Sequence, residues 1–218
     1  MSSTTRVHLL RHGEVHNPEK VLYGRMPGYH LSELGRKMAL LACEHVAAFD
    51  VARLVSSPLE RAQETAQPMA ARLGLAVDLD ERLLESTNVF EGQRVGVGDG
   101  VLRQPRAWRH LWNPFRPSWG EPYTEVADRV TAAVLDAVAA APGRDTVMVS
   151  HQMPIWVSRL RMEGRALWHD PRRRQCALAS LTTFEFENRP GAAPRLVGVS
   201  YDEPARELLG SASRIAGA

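Results

Sequence analysis

The sequence predicts an α/β fold, a three-layer sandwich in which helices cover both faces of a mostly parallel central sheet. Short segments rich in β-favouring apolar residues alternate along the chain with longer segments whose apolar residues recur at helical spacing. Glycine and proline separate these segments, and there are no internal repeats or low-complexity tracts. Strands that alternate with helices are typical of a parallel sheet covered by helices.

The first half of the chain is predicted to hold three strands and two helices. Ser32 is a suitable N-cap, proline favours the first turn of a helix, and glycine ends one. The predicted elements are a strand at 6–10, a helix that begins after Ser32, a strand at 53–56, a helix that runs from Pro58 to Leu73 and stops at Gly74, and a strand at 76–79.

The second half is predicted to complete the same single domain, which spans residues 1–218 and carries an insertion or lid at about 93–122. A helix at 123–141, a strand at 146–149, a helix that starts near Pro154 and strands at 181–186 and 196–200 follow the insertion. The tail from Glu203 onward is predicted to fray.

The predicted insertion is rich in arginine and tryptophan. It is either a solvated basic loop packed down by its tryptophans or a surface that attracts an anionic substrate, and it is expected to contain one short helix. These residues are Arg94, Arg103, Arg106, Arg109 and Arg116, with Trp108, Trp112 and Trp119.

Composition excludes several classes of protein. A net charge of +2, with 44% hydrophobic and 24% charged residues, indicates a globular protein without a nucleic-acid partner. The run Arg172-Arg173-Arg174 is interpreted as a solvated face. Cys43 and Cys176 lack metal-ligand spacing and favour a reducing compartment. Apolar stretches are too short for a membrane span, so a cytoplasmic protein is expected.

Reactive residues follow three of the predicted strands. Arg11-His12, the segment 57–61 and Ser150-His151 each come directly after a strand. Because ligands bind at the carboxyl ends of parallel strands, these residues are expected to share one pocket. Arginine forks match phosphate oxygens, and a neutral imidazole can attack phosphorus. The set therefore favours phosphoryl transfer, and acyl transfer is disfavoured because no GxSxG elbow is present.

The strings that surround these residues resemble the histidine phosphatase superfamily, which includes phosphoglycerate mutase-like enzymes. LLRHGEVHNP resembles the family's RHGE motif. PGYHLSELGRKMA, VSSPLERAQETA, RLLESTNVFEGQ and VMVSHQMPI resemble its later motifs in the family's order, from Arg6 to about Ile155. The resemblance implies a phosphoglycerate mutase-like fold.

The resemblance also implies roles for five residues. His12 would be the nucleophile that becomes phosphohistidine, and Glu85 would donate a proton to the leaving oxygen. Arg11, Arg61 and His151 would bind the transferring phosphoryl group. No metal and no cofactor are implied.

Two more positions, Asn17 and Gln152, complete the substrate-binding set with Arg11, Arg61 and His151. The match is looser here: Asn17 lies five residues after His12 where many members have six, and Gln152-Met153-Pro154 replaces the usual glycines. Other carboxylates compete with Glu85 for the acid role. They are Glu14, Glu81 and Glu91.

The leading functional hypothesis is a metal-independent phosphatase that hydrolyses a small phosphomonoester. A phosphoglycerate mutase, which returns the phosphoryl group to substrate, is one alternative. A catalytically inactive ligand-binding member is another, and retention of the whole set of reactive residues disfavours it. The expected partner is a small phosphorylated substrate, with no nucleic acid and no membrane. A homodimer is left open.

Overall fold

The computed structural model describes residues 3–94, 105–109, 112–113, 118–189 and 191–210. Its centre is a six-stranded sheet in the order β3-β2-β4-β1-β5-β6. Strands β1 to β4 pair in parallel, and β5 and β6 extend the sheet antiparallel. The predicted α/β class with a mostly parallel sheet is confirmed. The strands are β1 Ser3–Arg11, β2 Val51–Ser56, β3 Val77–Leu79, β4 Asp145–Ser150, β5 Leu181–Asn188 and β6 Arg195–Asp202.

Five helices accompany the sheet in the described ranges. Buried side chains of α1 and α2 pack with Leu10, Leu54 and Val147 in one apolar cluster. Those of α4 and α5 pack with Leu9 and Met148 in another. None of the helices in these ranges is long and apolar enough to cross a membrane. The helices are α1 Glu33–Val46, α2 Glu60–Leu73, α3 Pro105–Trp108, α4 Tyr123–Ala140 and α5 Gln152–Met162.

Strand β1 is buried on both faces because a helix pair covers each side. Val7 and Leu9 point into the cluster with α4 and α5, whereas Leu10 points into the cluster with α1 and α2. This placement follows from the alternation of side chains along a strand. The continuous apolar run at 9–10 is what a central parallel strand requires.

Several boundaries differ from the predictions by a few residues; β1, for example, begins at Ser3 and not at Arg6. Helix α2 begins at Glu60, two residues after Pro58, because Leu59 keeps an extended backbone with φ −71° and ψ 138°. The tail also stays folded beyond Glu203: Ala205 is buried in the core against the α1 and α2 side of the sheet. Residues 211–218 lie outside the described ranges.

The predicted insertion at 93–122 is described only in part, and Arg103, Arg116 and the side chain of Arg106 fall outside the description. Backbone hydrogen bonds join the residues just before the insertion to residues at its end. The amide of Val89 donates to Trp119 O at 2.8 Å, and the amide of Glu121 donates to Thr87 O at 3.2 Å. The chain therefore leaves and returns at the same place.

Candidate active site

The carboxyl ends of β1, β2 and β4 align at one edge of the sheet. Arg11 pairs in register with Ser150, and the amide of His12 donates to Ser150 O at 3.1 Å. The amide of Ser57 donates to Val149 O at 2.9 Å. These bonds continue the ladder past the ends of the strands and bring the three predicted segments together.

His12 is fully buried at the centre of this edge. Its Nδ1 lies 2.7 Å from Gly13 O, and because a carbonyl oxygen only accepts, Nδ1 carries the proton. Nε2 therefore holds a lone pair, and no described residue bonds to it. Burial, followed by the charges of Arg61 and Arg11, holds the pKa of His12 well below its ordinary value. The imidazole is neutral at pH 7.

The loop behind His12 depends on two glycines that face each other. A Cβ at Gly13 would collide with the carbonyl oxygen of Gly35, and a Cβ at Gly35 would collide with the carbonyl oxygen of Glu14. The amide of Gly13 donates to Thr65 Oγ1 at 3.1 Å, which ties the loop to α2. Close backbone approach from two sides thus fixes the direction of the His12 ring.

Arg11 and Arg61 are buried beside His12, and neither has a carboxylate within ion-pair distance among the described residues. Nη1 of Arg11 donates to Cys176 O at 2.6 Å, and Nη2 of Arg61 donates to Gly24 O at 2.5 Å. Nε of both and Nη1 of Arg61 lack partners in the described part of the chain. Buried guanidinium donors left over in this way are available to an anion.

His151 faces His12 from the end of β4. The two rings are 5.1 Å apart between centroids and tilted by 59°. Nε2 of His151 lies 2.8 Å from Ser57 Oγ, which fixes the ring and leaves Nδ1 without a partner in the described ranges. Burial, then the charge of Arg61, holds the pKa of His151 well below its ordinary value. Ser57 belongs to the segment 57–61 that the sequence predicts for this pocket, but its contact with His151 was not predicted.

Glu85 lies close enough to this set for its charge to act on Arg61, and 7% of its surface is exposed. Its Oε1 accepts a hydrogen bond from the amide of Ser86 at 2.8 Å. Its carbonyl accepts from Nε of Arg25 at 2.5 Å and from Nη2 of Arg129 at 3.4 Å. Glu121 pairs with both of these arginines. This clamp, which sequence reasoning missed, holds the backbone of Glu85 in place.

The remaining predicted residues have other contacts. The side chain of Asn17 bonds to both backbone groups of Val21, so it shapes its own loop. Oε1 of Gln152 accepts from Arg174 at 3.2 Å. Among the competing carboxylates, Glu81 is exposed, Glu14 accepts from Ser32 Oγ at 2.6 Å, and Glu91 accepts from the amide of Arg25.

A cavity of about 90 Å³ opens beside Glu85. Gly24, whose carbonyl binds Arg61, lines this cavity together with Gln152 and Arg174. The prediction that residues 172–174 form a solvated face is correct for the exposed Arg172 and Arg173 and wrong for Arg174, which turns inward. The triple-arginine pattern gives no signal that one member differs.

Comparisons with known proteins agree with this geometry. A family profile described as the histidine phosphatase superfamily (branch 1) matches residues 7–197. The chain is 53% identical over 205 residues to an uncharacterized protein of Mycobacterium tuberculosis, Rv0525, a match that covers 94% of this chain and 99% of that protein. It is 29% identical over 156 residues to the probable phosphoglycerate mutase GpmB of Cronobacter sakazakii, across 69% of this chain and 71% of that one.

A solved structure gives the same result. The mycobacterial glucosyl-3-phosphoglycerate phosphatase Rv2419c in complex with inorganic phosphate is similar with a TM-score of 0.70 at 26% identity, over 90% of this chain and 95% of that chain. Because the family profile spans most of the sequence and the fold agrees with it, this protein belongs to branch 1 of the histidine phosphatase superfamily.

Proposed function

We propose that the protein is a metal-independent phosphatase that hydrolyses a small phosphomonoester through a phosphohistidine at His12. The observation that carries the proposal is the state of His12: a neutral ring with a free Nε2, set between two buried guanidiniums that have no internal counter-ion in the described chain. The similarity to a phosphatase crystallised with phosphate supports the same reaction class.

In the first step, Nε2 of His12 attacks phosphorus in line with the leaving oxygen. The N–P bond forms as the P–O ester bond breaks, and protonated Glu85 gives its proton to the departing alcohol. Arg11, Arg61 and His151 donate to the equatorial oxygens, where negative charge is spread in the transition state. The hydrogen bond from the Nδ1–H of His12 to Gly13 O keeps Nε2, the attacking nitrogen, facing phosphorus.

In the second step, water attacks the phosphohistidine. The Glu85 carboxylate takes a proton from the water, an O–P bond forms and the N–P bond breaks. Inorganic phosphate leaves, His12 is neutral again and Glu85 is protonated for the next cycle. The clamp on the Glu85 carbonyl keeps the carboxyl in position for both proton transfers.

The phosphoenzyme tests this proposal directly. Brief reaction with a radioactive phosphomonoester should label the wild type in an acid-labile, base-stable form, as phosphohistidine requires. His12→Gln should give no label and lose turnover by about 10⁴-fold or more. His8→Gln, on the same strand, is the matched control and should label normally. Acid-stable label, or label in His12→Gln, would overturn the proposal.

A phosphoglycerate mutase is the second candidate, favoured by the similarity to the probable mutase GpmB. Both reactions share the phosphohistidine and differ in the acceptor of the second step. The labelled enzyme is mixed with excess unlabelled 3-phosphoglycerate, and the radioactivity is separated. Label in inorganic phosphate supports the phosphatase, and label in a phosphoglycerate supports the mutase.

A further inference from the structure

Arg174 is an inward-facing cation at the mouth of the active site. Its side chain is half-buried and lines the same cavity as Glu85 and Gly24. It follows α5 and precedes Cys176, whose carbonyl holds Arg11. No carboxylate of the described chain lies within ion-pair distance of its guanidinium.

The contacts of Arg174 orient the guanidinium without neutralising it. Its Nε donates to Nε2 of His169 at 2.8 Å, and its Nη1 donates to Oε1 of Gln152 at 3.2 Å. His169 can accept because its Nδ1 donates its proton to Leu167 O at 2.7 Å. Burial holds the pKa of His169 below its ordinary value, so the ring stays a neutral acceptor. The hydroxyl of Tyr123 is a third hydrogen-bond partner of Arg174. The guanidinium has five N–H donors, more than these partners use.

Other half-buried arginines of the described chain are paired differently. Arg25 and Arg129 bind Glu121, and Arg159 binds Glu163 at 2.9 Å. The neighbouring Arg172 binds Asp170 at 2.8 Å. Arg174 shares its lack of a carboxylate with Arg11 and Arg61, the two arginines of the phosphoryl site. Burial lowers the pKa of Arg174 but leaves it charged at neutral pH.

The position of Glu85 indicates which part of a substrate would lie next to Arg174. Under the proposed function Glu85 protonates the leaving oxygen, so the cavity beside it receives the alcohol portion of the substrate. We infer that Arg174 is a specificity residue that binds a second anionic group, a carboxylate or a phosphate, on that alcohol portion. A planar guanidinium that is held by neutral partners and keeps unused N–H donors matches such a group.

Two substrates that differ in one group test this inference. 3-Phosphoglycerate and glycerol 3-phosphate differ by a carboxylate in place of a hydroxymethyl group. The wild type should prefer the carboxylate in kcat/KM, and Arg174→Gln should lower kcat/KM for 3-phosphoglycerate by about 10- to 100-fold, mainly through KM. Glycerol 3-phosphate should change by less than about 3-fold. A second pair, propane-1,3-diol bisphosphate and its monophosphate, differs by a phosphate. Comparing the kcat/KM ratios of the two pairs shows whether Arg174 favours a carboxylate or a second phosphate.

Controls separate recognition from folding. Arg173→Gln, the exposed neighbour, should keep the wild-type preference, and Arg174→Lys should restore part of it because the charge remains. If Arg174→Gln unfolds, His169→Asn and Gln152→Ala report instead, since each loosens the guanidinium and should weaken the preference. Equal kcat/KM for the paired substrates in the wild type, or a preference that survives Arg174→Gln, overturns the inference.

Binding to an inert enzyme distinguishes this inference from the proposed function. In a His12→Gln background, calorimetry with 3-phosphoglycerate and glycerol 3-phosphate measures the anion preference without turnover. If no phosphohistidine forms but the preference still depends on Arg174, the proposed function fails and the inference stands. If phosphohistidine forms and Arg174 changes neither ligand's Kd, the inference fails and the proposed function stands.

Discussion

Two arginine–histidine pairs lie along β1, Arg6 with His8 inside the strand and Arg11 with His12 at its carboxyl end, and they have opposite electrostatic surroundings. In the first pair, Arg6 lies 2.9 Å from Asp145, and His8 lies 3.4 Å from the same carboxylate. At the end, Arg11 and His12 have no carboxylate within ion-pair distance in the described chain. The neighbouring strand β4 contributes the difference, because it begins with Asp145 and is followed by His151.

The two arginine–histidine pairs show that neither the residue types nor the size of the nearby pocket distinguishes the candidate active site from the other end of the sheet. An open groove of about 420 Å³ lies next to Arg6 and His8, and it is larger than the cavity beside Glu85. Its cation is already paired with Asp145, so little binding energy is left for an anionic substrate. At the other end, the charges lack internal partners and remain available to phosphate.

Among the variants that test this comparison, those that remove one charge from each region have the largest expected effects. Arg61→Met should lower kcat/KM by about 10²- to 10³-fold, since it removes a fixed donor to the transferring phosphoryl group. It should leave the melting temperature equal or higher, because an unpaired buried charge is lost. Asp145→Asn should do the reverse, with activity kept and stability lower by about 2 kcal/mol. Kinetics and thermal unfolding of both variants check this. Parallel losses of activity and stability in Arg61→Met would contradict it.

The role of Glu85 is tested through the leaving group. Glu85→Gln should slow the phosphorylation burst by about 100-fold for an alkyl phosphate, because the alcohol needs a proton. 4-Nitrophenyl phosphate should be affected much less, since nitrophenolate leaves without protonation. The exposed Glu81→Gln is the matched control. Equal alkyl burst rates in the wild type and Glu85→Gln would move the acid role to Glu14 or Glu91.

The two ends of the strands should also respond to different ranges of pH. His12 and His151 have a folded pKa below the unfolded value of about 6.5, so the unfolded state binds more protons as pH falls. Their stability contribution is complete above pH ~6.5 and is lost below it, by up to about 1.4 kcal/mol per pH unit for each ring. His12→Gln with His151→Gln should flatten this slope in urea titrations at several pH values.

Asp145 acts in a lower range of pH. Burial would raise its pKa, but hydrogen bonds from His8 and Arg6 outweigh burial and leave the pKa below its ordinary value. Its contribution is therefore complete above about pH 4 and is lost as pH falls further. Asp145→Asn should remove this lower response and keep the upper one. If Asp145→Asn also reduced the loss of stability that begins below pH ~6.5, Asp145 and the two histidines would not titrate independently, and the comparison would fail.

The smallest expected effect is that of a chelator. No group of three or more histidine, cysteine, aspartate or glutamate side chains in the described ranges is arranged to hold a metal ion, and the guanidiniums of Arg11 and Arg61 repel a cation. Dialysis against a chelator should leave kcat/KM unchanged. Loss of activity that a divalent ion restores would contradict the phosphatase proposed above.

The sequence predicts most of the strand-end geometry because the required information is local. His12 and His151 each follow a strand with a clear apolar pattern, so the position of each strand determines where its histidine lies. The individual hydrogen bond of His151 was not predictable in this way. Ser57 belongs to a predicted segment, but its contact with His151 depends on how β2 pairs with β4, which places the amide of Ser57 against Val149 O.

The surroundings of Glu85 were less predictable, because they depend on contacts between residues that are far apart in the sequence. The clamp on Glu85 joins Arg25, Glu121 and Arg129, which are far apart in the sequence and belong to no repeated pattern. Arg174 belongs to a run of three arginines, which is typical of a solvated face, and nothing in its local sequence distinguishes it. The proposed role of segment 93–122 in choosing substrates stays a prediction, since much of that segment lies outside the described ranges.

The backbone pairing of residues 87–89 with 119–121 has a practical consequence for engineering. Glu121, in the second of these stretches, makes its ion pairs with Arg25 and Arg129 at the junction itself. Closing a loop of different length costs little extra entropy when its ends are already fixed. The start of the segment belongs to the site, because Glu91 accepts from the amide of Arg25 and the backbones of Gly92 and Gln93 pair with Leu22. A foreign loop joined after Arg94 and before Trp119 keeps these contacts and should change substrate preference alone.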